Sequence, residues 1–252
     1  MKNFLIFILI AGVLFLGFKL YKKSRGDTAN FDDLNSQTLQ ETEINDQEFR
    51  PIFGDDKKET VSENTDTLEI KAEYPSFGDS VVDLKIKNFI LNDLNSFKEG
   101  GDLSVSPTPI KNNYISTYSV KRTDKITTVL FVIASYTGGA HGNVVVKSLN
   151  FDSKTGAEIS IGSIFTPGSK YLARLSEIAR KKLKKEFSND SANWIDEGTT
   201  PITSNFETFY FEDENVLVLV FQPYQVLAWS EGVQEIQINF KDIEDILNEE
   251  YR

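Results

Sequence analysis

The stretch with the most chemical content is Tyr136-Thr137-Gly138-Gly139-Ala140-His141-Gly142-Asn143, which holds the single histidine of this 252-residue chain. An imidazole can act as a general base or bind a metal. With no second histidine and no cysteine, a transition-metal site would fall to carboxylates alone. The competing structural role is to tie a turn to a neighbouring backbone group. Glycines between the apolar runs 129–135 and 144–146 require left-handed φ or a close approach, so the stretch reads as the loop of a β-hairpin. It is not a phosphate loop, because no Lys-Ser/Thr follows and no helix opens after it. If the loop is presented for contact, Tyr136, Thr137, Gly138, Gly139, His141 and Asn143 are candidate ligand-binding residues.

A second candidate surface is the segment holding Pro223, Tyr224 and Trp229, which follows an apolar run. Tyrosine and tryptophan offer wide amphipathic faces that dominate recognition surfaces and stack on sugar rings, although core packing uses the same residues. Nucleophilic catalysis lacks its sequence marks. There is no Gly-x-Ser-x-Gly, no Ser-x-x-Lys and no second histidine to activate a serine. A glycan hydrolase built on paired carboxylates stays open as an alternative, since carboxylate separation is invisible in a sequence. The absence of cysteine removes thiolate nucleophiles, disulfides, Fe–S clusters and Cys-ligated zinc together. The expectation is therefore a non-catalytic binding protein without metal or cofactor.

Three zones must position these residues. Phe4 to Phe18 is uncharged and almost wholly apolar; Leu20 and Tyr21 extend it if Lys19 snorkels to the interface. Gly17-Phe18-Lys19 is a poor cleavage site, so residues 1–23 read as an uncleaved signal anchor, with a cleaved signal peptide as the other option. Lys19, Lys22, Lys23 and Arg25 follow the run while Lys2 precedes it, which by charge alone favours a cytoplasmic C-terminus. The signal-like layout favours the opposite, N-in and C-out, and that is the orientation expected. Residues 24–66 are polar and acidic, with too little apolar surface to offset ordering, and read as a flexible tether. Phe49, Ile52 and Phe53 are its one apolar cluster.

From Leu68 the chain reads as folded. Leu68–Tyr74 alternates as a strand does; Val82, Ile86, Phe89, Ile90, Leu94 and Phe97 recur at helical spacing; Gly100-Gly101 stops the helix. Strands are expected over 114–122, 126–136, 143–151 and, briefly, 157–161. A second helix over 172–187 carries a basic outer face (Arg174, Arg180, Lys181, Lys182, Lys184, Lys185), read as solvated or as a contact for anionic lipid or teichoic acid. Strands at 206–211, 216–221 and 233–240 and a terminal helix at 241–250 complete an α+β body of antiparallel sheets with helices packed on one face. It divides into halves at 67–160 and 161–252. The net charge of −11 disfavours nucleic acid and anionic glycan polymers and suits a basic protein partner.

Four segments give the body a family likeness: Glu73-Tyr74-Pro75, Tyr136–Gly142, Asn150-Phe151-Asp152 through Thr155-Gly156, and Phe221-Gln222-Pro223-Tyr224 through Gly232. In this order they resemble the exported DUF-4163/DUF-3298 domain pair, which occurs in the RsiV-type lysozyme-sensing anti-sigma factor and ahead of the catalytic domain of PdaC-type peptidoglycan deacetylases. The resemblance implies a domain of the cell envelope that recognises a lysozyme-like protein or peptidoglycan. Only Met1 to Asn3 precede the apolar run, where a sigma-binding segment would be needed, and the residues up to Arg252 show no metal-binding deacetylase domain. Neither sigma control nor deacetylation is therefore expected.

Overall fold

The computed structural model describes residues 52–106, 109–187 and 192–252; the apolar run Phe4–Phe18, most of the tether and Phe49 lie outside the described residues. Helix α1 (Ser80–Glu99) starts at Asp79, whose carboxylate accepts from the backbone N–H groups of Val81 and Val82 at 3.0 and 2.9 Å. Its buried stripe is Val82, Ile86, Ile90 and Leu94. These residues, at about 2 kcal/mol each, outweigh the few tenths per residue that propensity supplies. They pack on one face of a five-stranded sheet through Ile70, Tyr114, Val129 and Phe131. Its strands are β1 (Lys57–Asn64), β2 (Leu68–Ser76), β3 (Asn112–Arg122), β4 (Ile126–Tyr136) and β5 (Asn143–Asp152), in that spatial order.

A second sheet holds β6 (Phe209–Asp213), β7 (Val216–Phe221) and β8 (Gln234–Asn239), in sequence order. One face, with Phe209, Phe211, Leu217, Leu219, Ile236 and Ile238, packs on α2 (Tyr171–Glu186) and α3 (Ala192–Gly198) through Leu175, Ala179, Leu183 and Ile195. Alternation sends Tyr210, Val218 and Val220 the other way, onto Leu130 and Val146 of the first sheet. Lys121 of β3 crosses this interface to ion-pair with Glu212 and lies 4.3 Å above the Tyr210 ring. Helices thus cover the two outer faces while the inner faces meet, an α+β arrangement in four layers.

The body departs from the sequence reading in four places. Residues 57–64, assigned to the tether, form β1, which pairs with β2 along its whole length. Seven of its eight side chains are exposed, so no apolar alternation marks it; the backbone ladder to β2 holds it, with half-buried Val61 against the core and the Lys58–Glu73 and Lys98–Glu63 ion pairs beside it. Just before it, Phe53 is buried, with its ring 5.1 Å from Phe77 and 5.7 Å from Phe151. The sheet is mixed, not wholly antiparallel: β2 and β3 are parallel because α1 carries the chain back between them. Residues 157–161 contribute one bridge, Phe151 to Glu158, and then a 3₁₀ turn.

The expected terminal helix is a series of 3₁₀ turns. Ile243, Leu247 and Tyr251 are buried at a spacing of four, which imitates a helix. Their own N–H groups make only short turns, and the residues flanking Leu247 pair outward: Asn248 N–H donates to the Ile164 carbonyl, and Thr166 N–H donates to the Ile246 carbonyl. Among the described residues no helix is long and apolar enough to cross a membrane.

Candidate functional site

The β4–β5 loop is closed by Tyr136, whose ring is 7% exposed and whose hydroxyl donates to the Gly139 carbonyl at 3.2 Å. Gly138 and Gly139 have φ of 102° and 98°, which side-chain-bearing residues avoid. Thr137, Asn143 and His141 are exposed on this frame. The His141 imidazole turns back, with Nδ1 2.8 Å from the Gly142 carbonyl oxygen. A carbonyl can only accept, so Nδ1 carries a proton, and in the neutral ring the lone pair lies on Nε2. This is the backbone tie that the sequence suggested, and it leaves the other nitrogen facing outward.

The second segment arrives from β7. Gln222, Pro223, Tyr224 and Gln225 form a turn in which Gln225 N–H donates to the Gln222 carbonyl at 3.0 Å. Proline suits the second position and a positive φ is needed at the third, where glycine is usual. Tyr224 occupies that position with φ of 68°, the one non-glycine residue with positive φ among the described residues. The turn is pinned on two sides. The Gln222 amide reaches Val146 on the open edge of β5, accepting from its N–H and donating to its carbonyl, both at 2.8 Å. The Gln225 amide donates to the carbonyls of Gly198 and Asn205 at 3.2 and 3.1 Å. Pro223 is half-buried.

These frames bring together two loops that lie about 80 residues apart in sequence. His141 stacks on Trp229 with centroids 4.3 Å apart and planes 25° apart. Its Nε2 lies 3.4 Å from the Tyr224 hydroxyl, a long contact. Trp229 Nε1–H is buried and finds no acceptor among the described residues, a second local cost beside the Tyr224 backbone. Of the sequence candidates, His141, Tyr224 and Trp229 converge. Tyr136 is a buried brace, and the glycines and Pro223 shape the backbone.

One residue was missed. Trp194 on α3 is 40% exposed, and its ring lies 6.1 Å from that of Tyr224 at 44°. Its only signal is an aromatic residue alone in a polar segment. Helix α3 is held by Asp196, which pairs with Arg180 at 3.0 Å and Lys184 at 2.7 Å; the hydrogen bond from Lys184 keeps that carboxyl below the usual range. Lys182 donates to the Gln237 carbonyl and Arg174 pairs with Asp245, so much of the basic face of α2 is engaged within the protein. Beside the turn lies a cavity of about 190 Å³, lined by Lys147, Asn205, Glu207, Thr208, Gln222 and Gln225 among others. Among the described residues no group of three or more His, Cys, Asp or Glu gathers as a metal site.

Residues 61–144 match the family described as Deacetylase PdaC, and residues 162–241 match a protein family of unknown function, DUF3298. The chain is 33% identical over 221 residues to peptidoglycan-N-acetylmuramic acid deacetylase PdaC of Bacillus subtilis (strain 168), an alignment covering 86% of this chain and 47% of that protein. The chain thus spans about half the length of this curated relative. Two solved DUF3298 structures share its fold. One, from Bacteroides fragilis, has a TM-score of 0.56 at 16% identity, over 80% of this chain and 96% of its own. The other, from Pseudomonas aeruginosa PAO1, has a TM-score of 0.58 at 15% identity, over 79% and 98%. The curated relative is an enzyme, and this overturns two expectations from the sequence: that the chain is a non-catalytic binding protein, and that it is not an enzyme. A deacetylase removes acetyl groups, so the alternative of a carboxylate-pair glycan hydrolase has no support from it either.

Proposed function

The chain carries the PdaC–DUF3298 pair, and on that basis we propose that it acts in peptidoglycan deacetylation at the cell envelope. The observation carrying this reading is the 33% identity to a peptidoglycan deacetylase over 221 residues, a stretch long enough to take in most of the described body. Deacetylation of an amino sugar hydrolyses its acetamide: water adds at the carbonyl carbon, the carbon–nitrogen bond breaks, and acetate and an amine leave. An enzyme acting on a polymer must hold a strand while one acetamide reacts. The His141–Tyr224–Trp229 surface offers what such a strand needs, with flat rings for the apolar faces of sugars and polar atoms at the ring edges.

Peptidoglycan is the partner in this account. A peptidoglycan substrate calls for a body outside the cytoplasm, with residues 1–23 as the anchor and residues 24–51 as the tether. Incubating the full chain with N-acetylated peptidoglycan and assaying acetate tests the reading, alongside the muropeptide acetylation of cells with and without the chain. Unchanged acetylation in both settings would defeat it.

A further inference from the structure

We infer that Trp194 and Tyr224 form a stacking subsite for one N-acetylated pyranose of a glycan strand, with the Tyr224 hydroxyl and His141 Nε2 as its hydrogen-bonding pair. The inference rests on the reading above and adds the place, the ring contacts and the residue that the sequence did not reveal. Both rings are open to solvent, Trp194 at 40% and Tyr224 at 54%. At 6.1 Å and 44° they diverge enough for a flat ligand to meet either face.

The Tyr224 backbone is the strongest argument. A non-glycine residue in the left-handed region costs about 1–2 kcal/mol, and glycine is the residue that this turn position ordinarily takes. The side chain gains little packing in exchange, since more than half of it is exposed. Strain kept at an exposed aromatic residue is explained by what that ring does for a ligand.

The mounting is rigid in the way a binding surface needs. A Cβ built on Gly198 would lie 1.9 Å from the Gln225 carbonyl oxygen, so α3 and the Tyr224 turn touch backbone to backbone. The Gln225 amide clips the same two elements. Ring spacing is therefore set before a ligand arrives.

The polar pair suits a sugar. Nδ1 is occupied by the Gly142 carbonyl, leaving Nε2 as acceptor and the Tyr224 hydroxyl as donor or acceptor. A sugar hydroxyl, both donor and acceptor, can replace their long 3.4 Å contact with two shorter ones. Arg180 and Lys184 on the neighbouring helix are engaged by Asp196. These two cations are thus held within the protein and not turned to a phosphate polymer. The cavity against Gln222 and Gln225, lined by valines and by polar side chains, gives the next unit of the strand somewhere to lie.

The test is co-sedimentation of the full chain with insoluble peptidoglycan, with the tetramer of N-acetylglucosamine as soluble competitor. Trp194→Ala and Tyr224→Ala are each expected to weaken sedimentation about tenfold, the size typical of a lost aromatic anchor. Trp194→Phe should recover part of the loss, and circular dichroism should show the fold retained. The tetramer should displace the wild-type chain. Wild-type binding that survives both alanine variants, or that yields only to free stem peptide, overturns the subsite while leaving the role in deacetylation standing. Altered wall acetylation together with no affinity of the chain for glycan would likewise remove the subsite alone.

Discussion

Tyr224 sits in a backbone conformation that costs it energy, and that cost can be measured. Asparagine tolerates left-handed φ far better than tyrosine. Tyr224→Asn is therefore expected to raise unfolding free energy by about 1 kcal/mol while weakening glycan binding. Denaturant titration beside the sedimentation assay reads both; a loss of stability would show that the ring serves the fold. The converging residues were partly legible. His141, Tyr224 and Trp229 stood out by type, because a lone histidine among glycines and aromatic residues after a strand are chemically conspicuous. Tyr136 looked identical in sequence, yet its ring is buried as the brace of its loop. Trp194 was invisible because its helix runs only Ala192–Gly198, too short for a period.

Elements carry the next group of consequences. Gly198→Ala would drive a methyl into the Gln225 carbonyl, where neither backbone can yield without separating α3 from the turn. The expected cost is about 2–3 kcal/mol, with Trp194 displaced from Tyr224; thermal unfolding and the sedimentation assay would both register it. An alanine variant as stable as the wild type would mean that the close approach does not hold the elements together.

The turn after β5 is held by Asp152, whose carboxylate accepts from Lys154 N–H at 3.0 Å, Thr155 N–H at 2.6 Å and the Thr155 hydroxyl at 2.7 Å. Burial pushes this carboxyl up, but those hydrogen bonds outweigh it and hold it below the usual range. A lowered folded value means stability fully present above the unfolded carboxylate pKa, near about 3.9, and lost as pH falls through the folded value. Asp152→Asn should cost about 1 kcal/mol at neutral pH and nearly nothing at pH well below the carboxylate range. An equal cost at both pH values would assign the effect to packing.

Legibility at this scale followed burial. α1, α2 and β2 were readable because each buries one face, as the Val82, Ile86, Ile90 and Leu94 stripe does, and β4 because Ile126–Phe131 is buried on both faces and shows as a β-branched and aromatic run. β1 was not, because Lys57–Asn64 is exposed on both faces and gives no alternation. The C-terminal turns misled because Ile243, Leu247 and Tyr251 keep a helical spacing while the backbone of Ile246 and Asn248 bonds to Thr166 and Ile164.

At the scale of the whole molecule, two sheets meet inner face to inner face. The site lies where the β4–β5 loop of one meets the turn after β7 of the other and the short helix beside it. No single segment of sequence contains it, which is why its two halves were legible and their union was not. The net charge of −11 argued against nucleic acid and anionic glycan polymers and gave no pointer to a sugar ligand. What the residues could not reveal was the chemistry served, since an aromatic surface binds sugar whether or not a reaction follows. The 33% identity to a peptidoglycan deacetylase supplies that direction.

The proposed participation in peptidoglycan deacetylation is tested most directly by the fraction of N-deacetylated sugars in muropeptides from cells that make the chain, lack it, or carry Trp194→Ala in its place. Deacetylation is expected to fall without the chain and to be only partly restored by the variant. Identical acetylation in all three walls would contradict the proposal.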